Sequence, residues 1–149
     1  MIQKLRQSIG LLPVFAVMAI ARGLELLEFT GLTAKQGELA MNLSLVERKR
    51  LEVARALATQ PIVLLLDEVF AGLNQVEIEK AIDLVIRIQR EFDMTIFMIE
   101  YVMKAIMRTR HRILAIHHGE NIAEGSPEEV ANHPRVIEAY LGLTYAENI

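Results

Sequence analysis

The stretch IVLLLDEVFAGLN, residues 62–74, constrains the fold more than any other. Five apolar residues run without interruption and stop at two carboxylates, Asp67 and Glu68, followed by a turn containing Gly72. A short continuous apolar run between Pro61 and such a turn predicts a strand covered on both faces, the pattern of a parallel sheet. Open α/β sheets bind ligands at the carboxyl ends of their strands. The two acids therefore stand where chemistry is done, and the rest of the chain decides whether they have what chemistry needs.

The same alternation continues downstream. MTIFMI, residues 94–99, reads as a second buried strand and residues 113–116 as a third. Residues 120–124 read as a short fourth, paired with the third across a turn at Gly119. Helical spacing appears over 44–59, with Leu51, Ala54, Leu57 and Ala58 as the apolar stripe. It appears again over 76–90, with Ile78, Ala81, Ile82, Val85 and Ile88 on one face and Asp83 and Arg87 as an i,i+4 pair. Residues 102–108 form a short helix. Ser126, Pro127, Glu128 and Glu129 spell a helix start, with an N-cap, Pro at the first position and acids in the first turn. Pro134 opens a last helix ending at Gly142. Strands alternating with helices predict an α/β fold with a mostly parallel sheet.

The chain has 149 residues, enough for one domain, and is 52% hydrophobic and 23% charged. A net charge of -3 gives no electrostatic footprint for nucleic acid. With no cysteine, thiolate catalysis, disulfides and Cys-ligated metal are excluded. His111, His117 and His118 lack the spacing of a zinc site, and His117 and His118 read as surface residues at a strand end. Near the N-terminus, Lys4 and Arg6 precede an apolar run over residues 9–21, and Ala19, Ile20 and Ala21 resemble a small-residue cleavage site. The outline is that of a signal peptide. The run also fits a helix packed in or against the domain, ending at Gly31, and at that length it is short for a membrane span.

LSLVERKRLEVARALATQPIVLLLDEVFAGLN, then TIFMIE, then IAEGSPEEV, resembles the ATP-binding subunit of ABC transporters. The tail HHGENIAEGSPEEVANHPRVIEAYLG makes it most similar to the branched-chain amino acid importers. The resemblance covers about residues 24–142. It implies a partial P-loop NTPase fold: residues 1–43 as a remnant of the helical subdomain, 44–125 as the signature, Walker B, D-loop and switch-loop region, and 126–149 as C-terminal helices. It further implies that Asp67 is the Walker B aspartate holding Mg²⁺ through water and that Glu68 is the catalytic glutamate polarising the attacking water. Asn74 falls in the D-loop, and Tyr101 stands at the place of the switch histidine. Tyrosine can donate a hydrogen bond there but cannot carry positive charge.

Ser44, Leu45, Val46 and Glu47 occupy the signature position, where the family presents a helix N-terminus to a partner's γ-phosphate. Both family glycines are replaced. The same four residues also spell a capping box, S-x-x-E, which would satisfy the helix's own N-terminal donors. No G-x-x-x-x-G-K-[ST] occurs in the 149 residues, so the phosphate-cradling loop of backbone N–H groups and lysine is not among them.

The resemblance thus implies the C-terminal portion of an importer ATPase. ATP and Mg²⁺ are the cofactors of the intact protein, and hydrolysis is not expected from this chain alone. Membrane permeases and a second ATP-binding subunit are the implied partners, at the cytoplasmic face of the membrane. A different reading is a non-enzymatic module that docks on a full-length ATPase subunit. In the family a P-loop strand lies between the strands matching 94–99 and 113–116. Without it those strands pair directly, borrow a strand, or leave apolar edges open, which favours dimers or self-association.

Overall fold

The computed structural model describes residues 14–109 and 111–141. The chain forms two compact units, residues 1–64 and 65–149.

In the first unit, α1 (Val14–Phe29) is followed by two 3-10 turns, Thr33–Lys35 and Ala40–Asn42, and by α2 (Leu45–Ala58). The stop after α1 is dictated by Gly31. Its φ of 74° permits Gly31 N–H to reach Glu28 O at 3.0 Å and Leu32 N–H to reach Leu27 O at 2.6 Å. These two bonds are the Schellman closure, and they satisfy carbonyls that would otherwise be orphaned. α1 and α2 pack together. Leu26, Leu32, Leu43, Ala54 and Leu57 are buried in this unit, while Ala58 of the expected stripe is exposed.

The apolar N-terminal run is helical from Val14, but it is not the covered helix expected from residues 9–21. Val14, Phe15 and Met18 are largely exposed; residues 9–13 lie outside the described residues. Ala19, Ile20 and Ala21 lie inside α1. No helix among the described residues is long and apolar enough to cross a membrane.

The second unit holds most of the strand-helix alternation. β1 (Val63–Asp67) leads into α3 (Gln75–Glu91), β2 (Thr95–Ile99) and α4 (Met103–Thr109). β3 (Ile113–His117) and β4 (Glu120–Gly125) follow, then α5 (Pro127–Ala131) and α6 (Pro134–Leu141). The predicted end of the last helix at Gly142 lies outside the described residues.

β1 and β2 pair with each other. Glu68 N–H, just past β1, donates to the carbonyl of Ile99, the last residue of β2, at 2.9 Å. Both carboxyl ends are thus side by side, as a parallel pair joined by a crossover helix requires. β3 and β4 form the expected antiparallel hairpin, Ile113 opposite Gly125 and His117 opposite Glu120, with an irregularity between Ala115 and Ile116. Its two-residue turn takes φ 49° at His118 and 81° at Gly119, the left-handed pair that matches strand twist.

One expectation is corrected, and one of three alternatives for the strands is excluded. Residues 62–66 and 94–99 are not covered on both faces. Leu64 and Leu66 are buried, but Leu65 is 71% exposed, and Phe97 and Ile99 are each 56% exposed. Nor do β2 and β3 pair directly; they stand in separate two-stranded sheets among the described residues. The core of the unit sits elsewhere. Ile82, Val85 and Ile88 of α3 are buried, and Ala115, Ile122, Ala123, Val130 and Val136 form one cluster beside the hairpin. The charged side of α3 turns to α4, where Glu79 takes both Lys104 and Arg108, and Arg108 also reaches Asp83 at 3.5 Å. Arg87 pairs with Glu91 at 3.6 Å.

Candidate functional site

Asp67 closes β1 and Glu68 follows it, both exposed. Glu68 has φ 46°, a left-handed conformation that L-residues with side chains rarely adopt. It is held there from two directions. Its N–H is bonded to Ile99 O, and its carbonyl accepts from Ala71 N–H at 3.1 Å. Phe70, only 1% exposed, anchors the turn in the interior. Strain of this kind persists where the surroundings over-determine it, which is a mark of functional turns.

One residue of this arrangement was not foreseen. Glu100 follows β2 as Asp67 closes β1, and its Oε1 accepts from Phe70 N–H at 3.0 Å across thirty residues. It fastens the acid-bearing turn after β1 to the segment after β2. Its Oε2 is buried and has no hydrogen-bond partner among the described residues. The signal was available: an acid directly after an apolar run, the same pattern that singled out Asp67. Tyr101 is the next residue and is exposed. The second unit therefore brings Asp67, Glu68 and the Tyr101 segment to the joined carboxyl ends of one parallel ribbon.

Asn74 has a different occupation. It is the N-cap of α3, with Oδ1 accepting from Glu77 N–H at 3.0 Å and its own N–H donating to Glu77 Oε2 at 2.8 Å. Both halves of a capping box are present.

In the first unit, Ser44 and Glu47 likewise form a closed capping box on α2. Glu47 N–H donates to Ser44 Oγ at 3.3 Å and Ser44 N–H to Glu47 Oε2 at 2.8 Å. The Ser44 backbone bond, with the Ser44 side chain and Lys35 at 3.6 Å, holds the Glu47 carboxyl below the usual carboxylate range. Leu45 is exposed and Val46 half-buried. The carbonyl of Ser44 accepts from Arg48 N–H at 2.9 Å, the first bond of the helix.

The chemistry of the donors separates the two cofactors. Exposed carboxylates at Asp67 and Glu68 are hard oxygen donors, suited to Mg²⁺ that keeps most of its waters. A triphosphate needs a nest of N–H groups and a lysine, and the described helix starts at Ser44 and Asn74 each commit two donors to their own caps, the N–H groups of Ser44 and Glu47 and those of Asn74 and Glu77. The residues present fit the metal and do not by themselves fit the nucleotide. His117 and His118 lie ring to ring at 4.0 Å on the surface. No group of three or more metal-ligating residues occurs among the described residues.

Comparison with known proteins follows the same line. A family model described as "Branched-chain amino acid ATP-binding cassette transporter" matches residues 120–143. The high-affinity branched-chain amino acid transport ATP-binding protein LivG of Escherichia coli (strain K12) is 40% identical over 124 residues, covering 83% of this chain and 49% of LivG. BraF of Pseudomonas aeruginosa, a protein of the same description, is 38% identical over 116 residues, covering 78% of this chain and 46% of BraF. Among solved structures, the ADP conformation of MJ1267, an ATP-binding cassette of an ABC transporter, superposes with a TM-score of 0.75. It is 26% identical, over 84% of this chain and 50% of that one. The chain spans about half the length of the curated relatives it matches.

Proposed function

This chain is a relative of the ATP-binding subunits of branched-chain amino acid ABC transporters and aligns with their C-terminal portion, and on that premise we propose that it supplies the metal-binding and water-activating acids of such a subunit while the triphosphate is held by residues outside it. The observation that carries the proposal is the Asp67–Glu68 pair, fixed in a left-handed turn at the carboxyl end of a parallel ribbon. In the intact protein Asp67 would hold Mg²⁺ through water and Glu68 would orient the water that attacks the terminal phosphate. Positioning and charge placement of this kind do most of the work in phosphoryl transfer. Tyr101 would offer its hydroxyl where the family's histidine senses that phosphate. Ser44 to Glu47 and Asn74 would serve as helix starts at the signature and D-loop positions, with their caps closed unless a ligand opens them.

The transported solute is a branched-chain amino acid on the strength of the relatives' names. The partners are membrane permeases and a second ATP-binding subunit, at the cytoplasmic face of the membrane. Alone, the chain does not hydrolyse ATP. The measurement is Mg²⁺-dependent phosphate release by the purified 149-residue chain beside its Glu68→Gln variant. Both are expected at background; turnover that Glu68→Gln abolishes would show that the chain holds nucleotide by itself.

A further inference from the structure

Glu68 keeps a backbone conformation that a residue with a side chain disfavours, so its surroundings must hold it there from both sides. Two consecutive residues at the end of β2 do this. On the near side, Ile99 O accepts from Glu68 N–H at 2.9 Å and fixes where the strand ends. On the far side, Glu100 Oε1 accepts from Phe70 N–H at 3.0 Å and fixes where the turn goes next. The bond from Ala71 N–H to Glu68 O lies within the turn and moves with it. The Glu100 bond instead refers the turn to β2. The buried ring of Phe70 seats the same point by packing. Packing tolerates rotation of the backbone, whereas a hydrogen bond to the amide weakens steeply when its angle closes.

Stability alone would not choose a glutamate for this place. One carboxyl oxygen makes the bond, but the other, Oε2, is buried with no hydrogen-bond partner among the described residues. A polar atom buried in this way costs free energy, and it calls for an explanation beyond packing. A leucine would fill the space with no orphan oxygen, but it would leave Phe70 N–H without its acceptor. We propose that Glu100 is a positioning residue: through Phe70 N–H it holds Glu68 in its left-handed conformation beside Asp67. The tether belongs to the segment of the switch position, because Tyr101 follows Glu100 directly. Val102 comes next, and its carbonyl opens α4 by accepting from Ala105 and Ile106 N–H at 2.9 and 3.1 Å. A displacement of that segment is therefore a displacement of the tether. The role rests on the functional reading above, which gives Glu68 the orientation of water; the tether itself does not.

The test is nuclear magnetic resonance of the 149-residue chain, without nucleotide, on the wild type, Glu100→Gln and Glu100→Leu. At φ 46° the amide and α protons of Glu68 are nearly eclipsed, so the cross-relaxation peak between them is strong. Gln keeps an acceptor oxygen for Phe70 N–H, and Leu keeps only volume. The peak is expected at wild-type strength in Glu100→Gln and severalfold weaker in Glu100→Leu. The second readout is urea unfolding of Glu68→Gly in each background, because glycine relieves strain only where strain is held. A gain of about fivefold in the folding equilibrium constant is expected in the wild type and in Glu100→Gln, and none in Glu100→Leu. A purely structural Glu100 would lower the stability of Glu100→Leu and leave both readouts as they are. An unchanged peak in Glu100→Leu, an equal Glu68→Gly gain in all backgrounds, or no rescue by Glu100→Gln would overturn the proposal. If Glu100→Leu fails to fold, hydrogen exchange of the wild type decides: Phe70 N–H exchanging as slowly as Glu68 N–H supports the tether, and exchange at the rate of an unbonded amide overturns it. An overturned tether leaves the roles of Asp67 and Glu68 standing, and failed hydrolysis in any assembly leaves the tether standing.

Discussion

At the residue scale the decisive feature is Glu68 in a left-handed conformation at the end of β1. A side chain there costs on the order of 1 kcal/mol, which glycine does not incur. Glu68→Gly is therefore expected to raise the stability of the chain by about 1 kcal/mol, measured by urea unfolding, while removing the acid to which the proposed function gives water activation. A loss of stability instead would mean that the Glu68 side chain itself holds the turn. Asp67 and Glu68 were legible in the sequence because an apolar run ended on them. Their conformation was not, because it depends on Ile99 and Glu100, thirty residues away, which hold the turn through Glu68 N–H and Phe70 N–H.

At the scale of elements, helix starts were the most legible feature, since a cap is written in four consecutive residues. Ser44, Asn74 and Ser126 all close capping boxes, though Asn74 was singled out only for its D-loop position. The boxes at Ser44 and Ser126 carry a pH signature. Backbone bonds from Ser44 and Ser126 lower the carboxyls of Glu47 and Glu129 below their ordinary value. A depressed carboxylate contributes stability above its unfolded value and loses it as pH falls through the folded one. The thermal midpoint is thus expected to fall between about pH 5 and about pH 3. A Glu47→Gln, Glu129→Gln double variant, which keeps both boxes but cannot titrate, should fall less steeply over that window. Equal slopes would place the acid sensitivity in other groups. Strand faces were less legible. Apolar residues at both parities predict burial on both faces, but whether a cover exists is not a property of the strand.

At the scale of the whole molecule, exposed Leu65, Phe97, Ile99, Leu114 and Ile116 and the unblunted edges govern behaviour in solution. Without a cover the chain is expected to self-associate without fixed stoichiometry, with light scattering rising with concentration and falling in Phe97→Lys. A monomer that persists at high concentration would mean that the open faces are not adhesive. The sequence by itself determined the order of strands and helices, their caps and turns, the acids at the strand end and the family to which they point. Those features depend on neighbours within a few residues, where steric and hydrogen-bond rules act locally. Only the tertiary structure decided that β2 and β3 stand in separate sheets, that Glu100 clasps the turn of Glu68, and that Leu65 of β1 and Phe97 and Ile99 of β2 are left exposed. Pairing and burial depend on segments distant in the chain, and no local pattern records whether such a segment is there to pack.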